Sequence, residues 1–155
     1  MAIRNVLKGG TDFVTGEILE DFDLDDTYNS FYRKAYADNT GGSHTGTTET
    51  DVATLTIGAG ELGTTASLII SAGCSANYNV NCTLTLRLKV DGATVKTITF
   101  TNGNNISYPS FDFNYLHASL DNTSAVIVKV TAQASVTGNS IKCDGLTVDG
   151  VYNNS

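Results

Sequence analysis

The acidic run Asp21-Phe22-Asp23-Leu24-Asp25-Asp26 is the densest group of potential ligands in the chain. Aspartates at alternate positions open an EF-hand calcium loop, where successive carboxylates converge on one hard cation. The pattern then fails: Asp26 stands where the loop needs its sixth-position Gly, and Tyr32 where it needs a bidentate Glu. Helix capping accounts for the run better, and no metal is expected. Cys74, Cys82 and Cys143 show no Cys-x-x-Cys spacing and no nearby histidine, which argues against zinc. Cys74 and Cys82 could close a short loop, but cytoplasmic synthesis favours buried free thiols. A glycosidase needs two facing carboxylates. Asp91, Asp144 and Asp149 each precede Gly and Asp121 precedes Asn122, which is ordinary turn chemistry, so Asp112 is left alone between Phe111 and Phe113. There is no serine nucleophile elbow, phosphate-cradling glycine loop or two-histidine pattern. His44 reads as a solvated residue and His117, beside Leu116, as an edge or interface residue. The chain is expected to be no enzyme and to carry no cofactor.

Composition bounds what must position these residues. The chain has 155 residues, 41% hydrophobic and 16% charged, and its polarity comes from Thr, Ser, Asn and Gly. Those residues suit strand faces and tight turns, so an all-β body is expected. The formal net charge of −7 argues against nucleic acid and against an anionic membrane surface as partners. Residues 1–10 contain no apolar run long enough for a secretory signal, and no later stretch approaches the length of a membrane span. Synthesis in a cytoplasm is therefore expected. Three Asn-x-Ser/Thr triplets, at Asn81, Asn105 and Asn122, read as chance in so Asn-rich a chain.

Three segments follow. Residues 1–40 form an attachment unit: apolar points without periodicity up to Leu19 suggest an extended arm. From Asp23 the residues Leu24, Tyr28, Phe31 and Ala35 then share one helical stripe. Asp23 suits the N-cap, Asp25 and Asp26 the first turn, and Asn39, Gly41 and Gly42 the stop. A helix of about fifteen residues is marginal alone, so its aromatic stripe must pack on something. It either covers one end of the chain's own β domain or meets other subunits. Residues 41–50 read as a Gly/Thr/Ser tether, which favours other subunits. Residues 51–155 read as a jelly-roll-like antiparallel β-sandwich.

Alternation is clearest in Leu84, Leu86, Leu88 and Val90 and in Val126, Val128, Val130, Ala132 and Ala134. Asp91-Gly92 predicts a type I′ hairpin turn. Pairing outward from it sets Val90 against Ala93 and Leu88 against Val95, after which apolar residues meet threonines. One extra residue near Lys96-Thr97 brings Leu86 opposite Ile98 and Leu84 opposite Phe100, so a β-bulge is expected there.

The stretch from Gly16 to Asn29, Gly-Glu-Ile-Leu-Glu-Asp-Phe-Asp-Leu-Asp-Asp-Thr-Tyr-Asn, resembles a short segment near the N-terminus of many tailed-virus appendage proteins. There a Gly-x-x-Leu-x-x-x-Asp-Leu-Asn-Asp-Thr-Phe-Asn-like run precedes a fibre or spike body. Asp25 stands here where Asn is frequent and Tyr28 where Phe is frequent. The resemblance covers about thirty residues. It implies a virion structural protein, commonly a homotrimer, whose front end fastens to capsid, portal or tail components. Phe13, Leu19, Phe22, Leu24, Tyr28, Phe31 and Tyr32 are the expected anchors. An alternative is a carbohydrate-binding sandwich reading host-surface glycans, with Tyr78, Tyr108 and Asn105 as candidate contacts; the absence of Trp weighs against it.

Overall fold

The computed structural model describes residues 6–7, 11–12, 31–38, 41–63, 66–77, 81–102 and 110–153; for residues 6, 7, 11, 12, 31–34, 102, 152 and 153 it describes the backbone alone. Every regular element among them is a strand: β1 (Val6–Leu7), β2 (Thr11–Asp12), β3 (Phe31–Asp38), β4 (Ser43–His44), β5 (Thr50–Ile57), β6 (Ala66–Asn77), β7 (Cys82–Val90), β8 (Ala93–Asn102), β9 (Ser110–Leu120), β10 (Val126–Ala134) and β11 (Ser140–Asn153). β1 and β2 pair as a separate two-stranded sheet. The rest form two antiparallel sheets, β5-β10-β7-β8 and β3-β11-β6-β9, with β4 pairing β11 beyond the end of β3.

The eight long strands nest. β7 pairs β8, β6 pairs β9, β5 pairs β10 and β3 pairs β11, so the chain is one long hairpin wrapped across two sheets. That is the strand order of a jelly roll. Between the sheets lies one core. Leu84, Leu86, Leu88, Val128 and Val130 from the first sheet face Leu68, Ile70, Phe113, Leu146 and Val148 from the second. Each such side chain contributes about 1.5–3 kcal/mol on burial, offset by ordering of the chain.

Phe31–Asp38 corrects the expectation of a helix through this segment. All eight residues pair with β11, from Asp38 opposite Leu146 to Phe31 opposite Asn153. Phe31 and Ala35 do fall on a helical stripe, but a lone helix gains little from it, whereas here an entire row of β11 backbone groups finds partners. Tyr36 lies opposite Val148 and packs against the core. Residues 23–30, the rest of the expected helix, lie outside the described residues.

The segment read as a tether is likewise bonded into the body. Ser43 and His44 pair with Lys142 and Ile141. The Gly42 amide donates to the Val52 carbonyl at 2.8 Å, and the Gly42 carbonyl accepts from Cys143 N–H at 3.0 Å. Gly41 and Gly42 therefore serve a chain crossing rather than a helix end.

Asp91 and Gly92 both have positive φ, 47° and 81°, as the type I′ turn requires. Leu86 lies opposite Ile98 and Leu84 opposite Phe100, as the apolar pattern demands. The extra residue is Val95, slightly earlier than expected: Lys89 pairs Thr94 and Leu88 pairs Lys96. Threonines then line the outer face of β8.

Two glycine substitutions should separate steric from conformational cost. At Gly42 an added Cβ would stand 2.6 Å from the backbone oxygen of Val52, so Gly42→Ala should cost about 1–3 kcal/mol. At Gly92 nothing lies within 4 Å and only the positive φ opposes alanine, about 1–2 kcal/mol. Urea midpoints at constant m read both values.

Candidate binding faces

Bulges decide what the outer face of the five-stranded sheet presents. In β11, Cys143 and Leu146 are three residues apart yet both are buried, and a shift of register between Cys143 and Gly145 reconciles them. Asp144 is the extra residue, outside, where Lys142 holds it at 2.9 Å. Its carboxyl is kept below the usual range, chiefly by Lys142 and then by Ser75.

Beyond the bulge three outward rows run across β11, β6 and β9. The first is Gly145, Gly73 and Asp112; the second Thr147, Ser71 and Asn114; the third Asp149, Ile69 and Leu116. The first two rows line a shallow trough of about 320 Å³. The Ser71 hydroxyl donates to Asn114 Oδ1 at 3.2 Å, and the Thr147 hydroxyl to the Ser71 carbonyl at 3.3 Å. In the third row Leu116 is 62% exposed and Ile69 44%, a paired aliphatic patch in contact with water. Among the described residues that line the trough, Asp112 is the one carboxylate.

The outer face of the other sheet is built differently, because residues 45–49 fold over it. Glu49 meets Arg87 at 3.0 Å and Lys89, and accepts from the Thr131 hydroxyl at 2.6 Å. The Gln133 amide donates to the Thr47 carbonyl at 2.9 Å. Thr131 is thereby buried on what would otherwise be a wet face. Lys89 first and Thr131 second hold the Glu49 carboxyl below its ordinary value; partial burial opposes them and Arg87 adds to them. Beside this clamp a second groove, about 350 Å³, is lined by Thr47, Thr83, Thr85, Gln133, Ala134 and Ser135.

The expected site residues fall unevenly. Phe13, Leu19, Phe22, Leu24, Tyr28, Tyr78, Asn105 and Tyr108 lie outside the described residues, as does the acidic run. Phe31 and Tyr32 lie on β3, paired with Asn153 and Tyr152. All three cysteines are free and buried. Cys74 faces Cys143 across the sheet rather than Cys82. Its thiol is pushed up by a hydrogen bond with the Cys143 side chain and then by burial, and so stays neutral. His44 accepts the Gly46 N–H at 3.2 Å, and His117 packs its ring 6.3 Å from that of Tyr115. Among the described residues no group of His, Cys, Asp or Glu is arranged to hold a metal ion. Asn122 is fully buried, donating to Ser124 and accepting from Leu62, which closes that Asn-x-Ser triplet to glycosylation. The sequence reading missed the trough and the Glu49 clamp. Gly73, which interrupts an otherwise alternating strand, was the available signal for the first.

No protein-family model matches the sequence, and no curated protein does. Solved structures do resemble the fold. Dimeric latent PorU from Porphyromonas gingivalis superposes at a TM-score of 0.55 and 14% identity, over 80% of this chain and 13% of that one. Infectious bursal disease virus gives 0.51 at 15% identity for its Gt strain, over 95% and 37%, and 0.50 at 15% for its Gx strain, over 81% and 33%. At such identities the likeness is one of fold, and this chain spans well under half of each of those chains.

The Glu49 clamp sets a pH dependence. A carboxyl held below about 4.5 in the folded state stabilises the fold above that pH, and the contribution disappears as pH falls through the lower folded value. Glu49→Gln should cost up to about 1 kcal/mol at neutral pH, the range of surface ion pairs. The gap from wild type should narrow in acid, as read by melting curves across pH.

Proposed function

We propose that this chain is a non-enzymatic virion subunit, anchored to the particle by the segment preceding β3 and displaying the sandwich outward. The observation that carries this reading is the junction. The run from Gly16 to Asn29, which resembles the attachment segment of tailed-virus appendage proteins, is followed within two residues by β3. β3 is the edge strand of the five-stranded sheet and is paired along its whole length to β11. A load on the attachment segment therefore passes directly into a sheet. Two of the similar folds belong to a virus particle, so the architecture is compatible with such a setting.

In this reading Phe13, Leu19, Phe22, Leu24 and Tyr28 bury themselves between copies of the chain, in a homotrimer, or in a socket of the capsid, portal or tail. Phe31 and Tyr32 carry that contact into β3. Burial of Phe22, Leu24 and Tyr28 at about 1.5–3 kcal/mol each, repeated over three subunits, suffices for lasting attachment. Such an apolar contact responds weakly to salt.

Sedimentation equilibrium of the full chain tests this. Wild type should have the mass of a trimer at both low and high salt. The triple variant Phe22→Ala, Leu24→Ala and Tyr28→Ala should fall to monomer while keeping its β-type circular dichroism. Unchanged assembly of the variant would remove the anchor from these residues.

A further inference from the structure

We infer that the trough on the outer face of β11, β6 and β9 is a subsite for a neutral saccharide. Gly73 is the first observation. Its φ is not positive, and an added Cβ would meet only the Asp112 Oδ1, at an ordinary 3.8 Å. Neither backbone conformation nor packing requires a glycine there. Mid-strand glycine nevertheless weakens a strand, and one purpose it serves is to let a ligand lie against the backbone. Gly145, directly opposite, sits at the bulge and extends the same bare floor.

The chemistry around that floor is the second observation. Asp112 has no hydrogen-bond partner among the described residues and can accept from two hydroxyls. Ser71 occupies the Asn114 carbonyl oxygen, which leaves the amide nitrogen to donate. Thr147 adds a hydroxyl on the far side. Among the described residues none lining the trough is cationic, and Lys96, at its β9 edge, is engaged by the Asn114 backbone carbonyl at 3.0 Å, which disfavours a phosphate or another anion. The adjoining row supplies the exposed Ile69 and Leu116, an aliphatic surface for the C–H face of a pyranose.

Outward rows lie about 6.7 Å apart and strands about 4.8 Å, so three rows on three strands span roughly 13 by 10 Å. That area holds one or two sugar rings. The trough is shallow and the described part of it offers no aromatic platform, so affinity at a single site should be weak, roughly millimolar. Many copies on one particle would raise it by avidity.

Amide NMR titration of the full chain with N-acetylglucosamine, galactose, glucose, lactose and cellobiose tests the inference. At least one sugar should give saturating shifts at Gly73, Asp112, Asn114 and Thr147. Gly73→Val, whose Cβ would meet nothing closer than the Asp112 Oδ1 at 3.8 Å and which suits a strand, should fold normally, yet abolish those shifts. Asp112→Asn should weaken binding roughly tenfold, the effect of losing a charge-assisted hydrogen bond. Absence of saturating shifts at these amides with every sugar, or shifts that survive Gly73→Val, would overturn the assignment. So would shifts that follow protein concentration without sugar, which would make the face a contact between copies.

Discussion

Pairing of β11 on both sides holds the architecture together. It lies between β6 on one side and β3 with β4 on the other, so the beginning and end of the sandwich meet in one sheet. Ile141, Cys143, Leu146 and Val148 all point from it into the core. A strand has a period of two, so those four positions cannot share a face without one extra residue. The bulge at Asp144 supplies it, and the same displacement sets Gly145 opposite Gly73 on the outer face. Core and surface are thus two results of one register constraint.

The same device recurs wherever inward spacing breaks step. β5 buries both Val52 and Ala53, and its register against β10 shifts between Val130 and Thr131. β9 changes phase before Leu120, where Ser119 takes a positive φ of 61°. Val95 in β8 is the third case. A bulge costs a little local pairing, while an apolar side chain turned to water forfeits about 1.5–3 kcal/mol of burial. The apolar pattern therefore wins at each place.

That hierarchy explains how much could be read from the sequence. Leu84 to Val90, the Asp91-Gly92 turn and the alternation from Val126 to Ala134 are local signals, and the structure follows them. The need for an extra residue in β8 was also legible, because Leu86 and Leu84 required Ile98 and Phe100 opposite them. Its position was not, since a slip at Val95 and a slip at Lys96-Thr97 give the same downstream pairs. Phe31–Asp38 was misread for a stronger reason. Its own residues favour a helical stripe about as well as a strand, and what decides is a partner more than a hundred residues later in the chain. Gly73 was a local hint of the trough, but Asp112 and Gly145 become its neighbours only through the pairing of β6, β9 and β11.

The correction at β3 changes how attachment and display relate. With a flexible tether, the sandwich would swing freely and no face would have a preferred direction. Instead the proposed anchor leads into β3, while the segment after β3 is bonded to β11 and to Val52 and clamped by Glu49 onto the opposite sheet. β3 also edges the very sheet that carries the trough. An anchor entering there would fix the direction in which that face looks. Weak sites gain from repetition only when their geometry permits simultaneous engagement. The full-length pairing of β3 with β11 is therefore the feature that would let many shallow troughs act together.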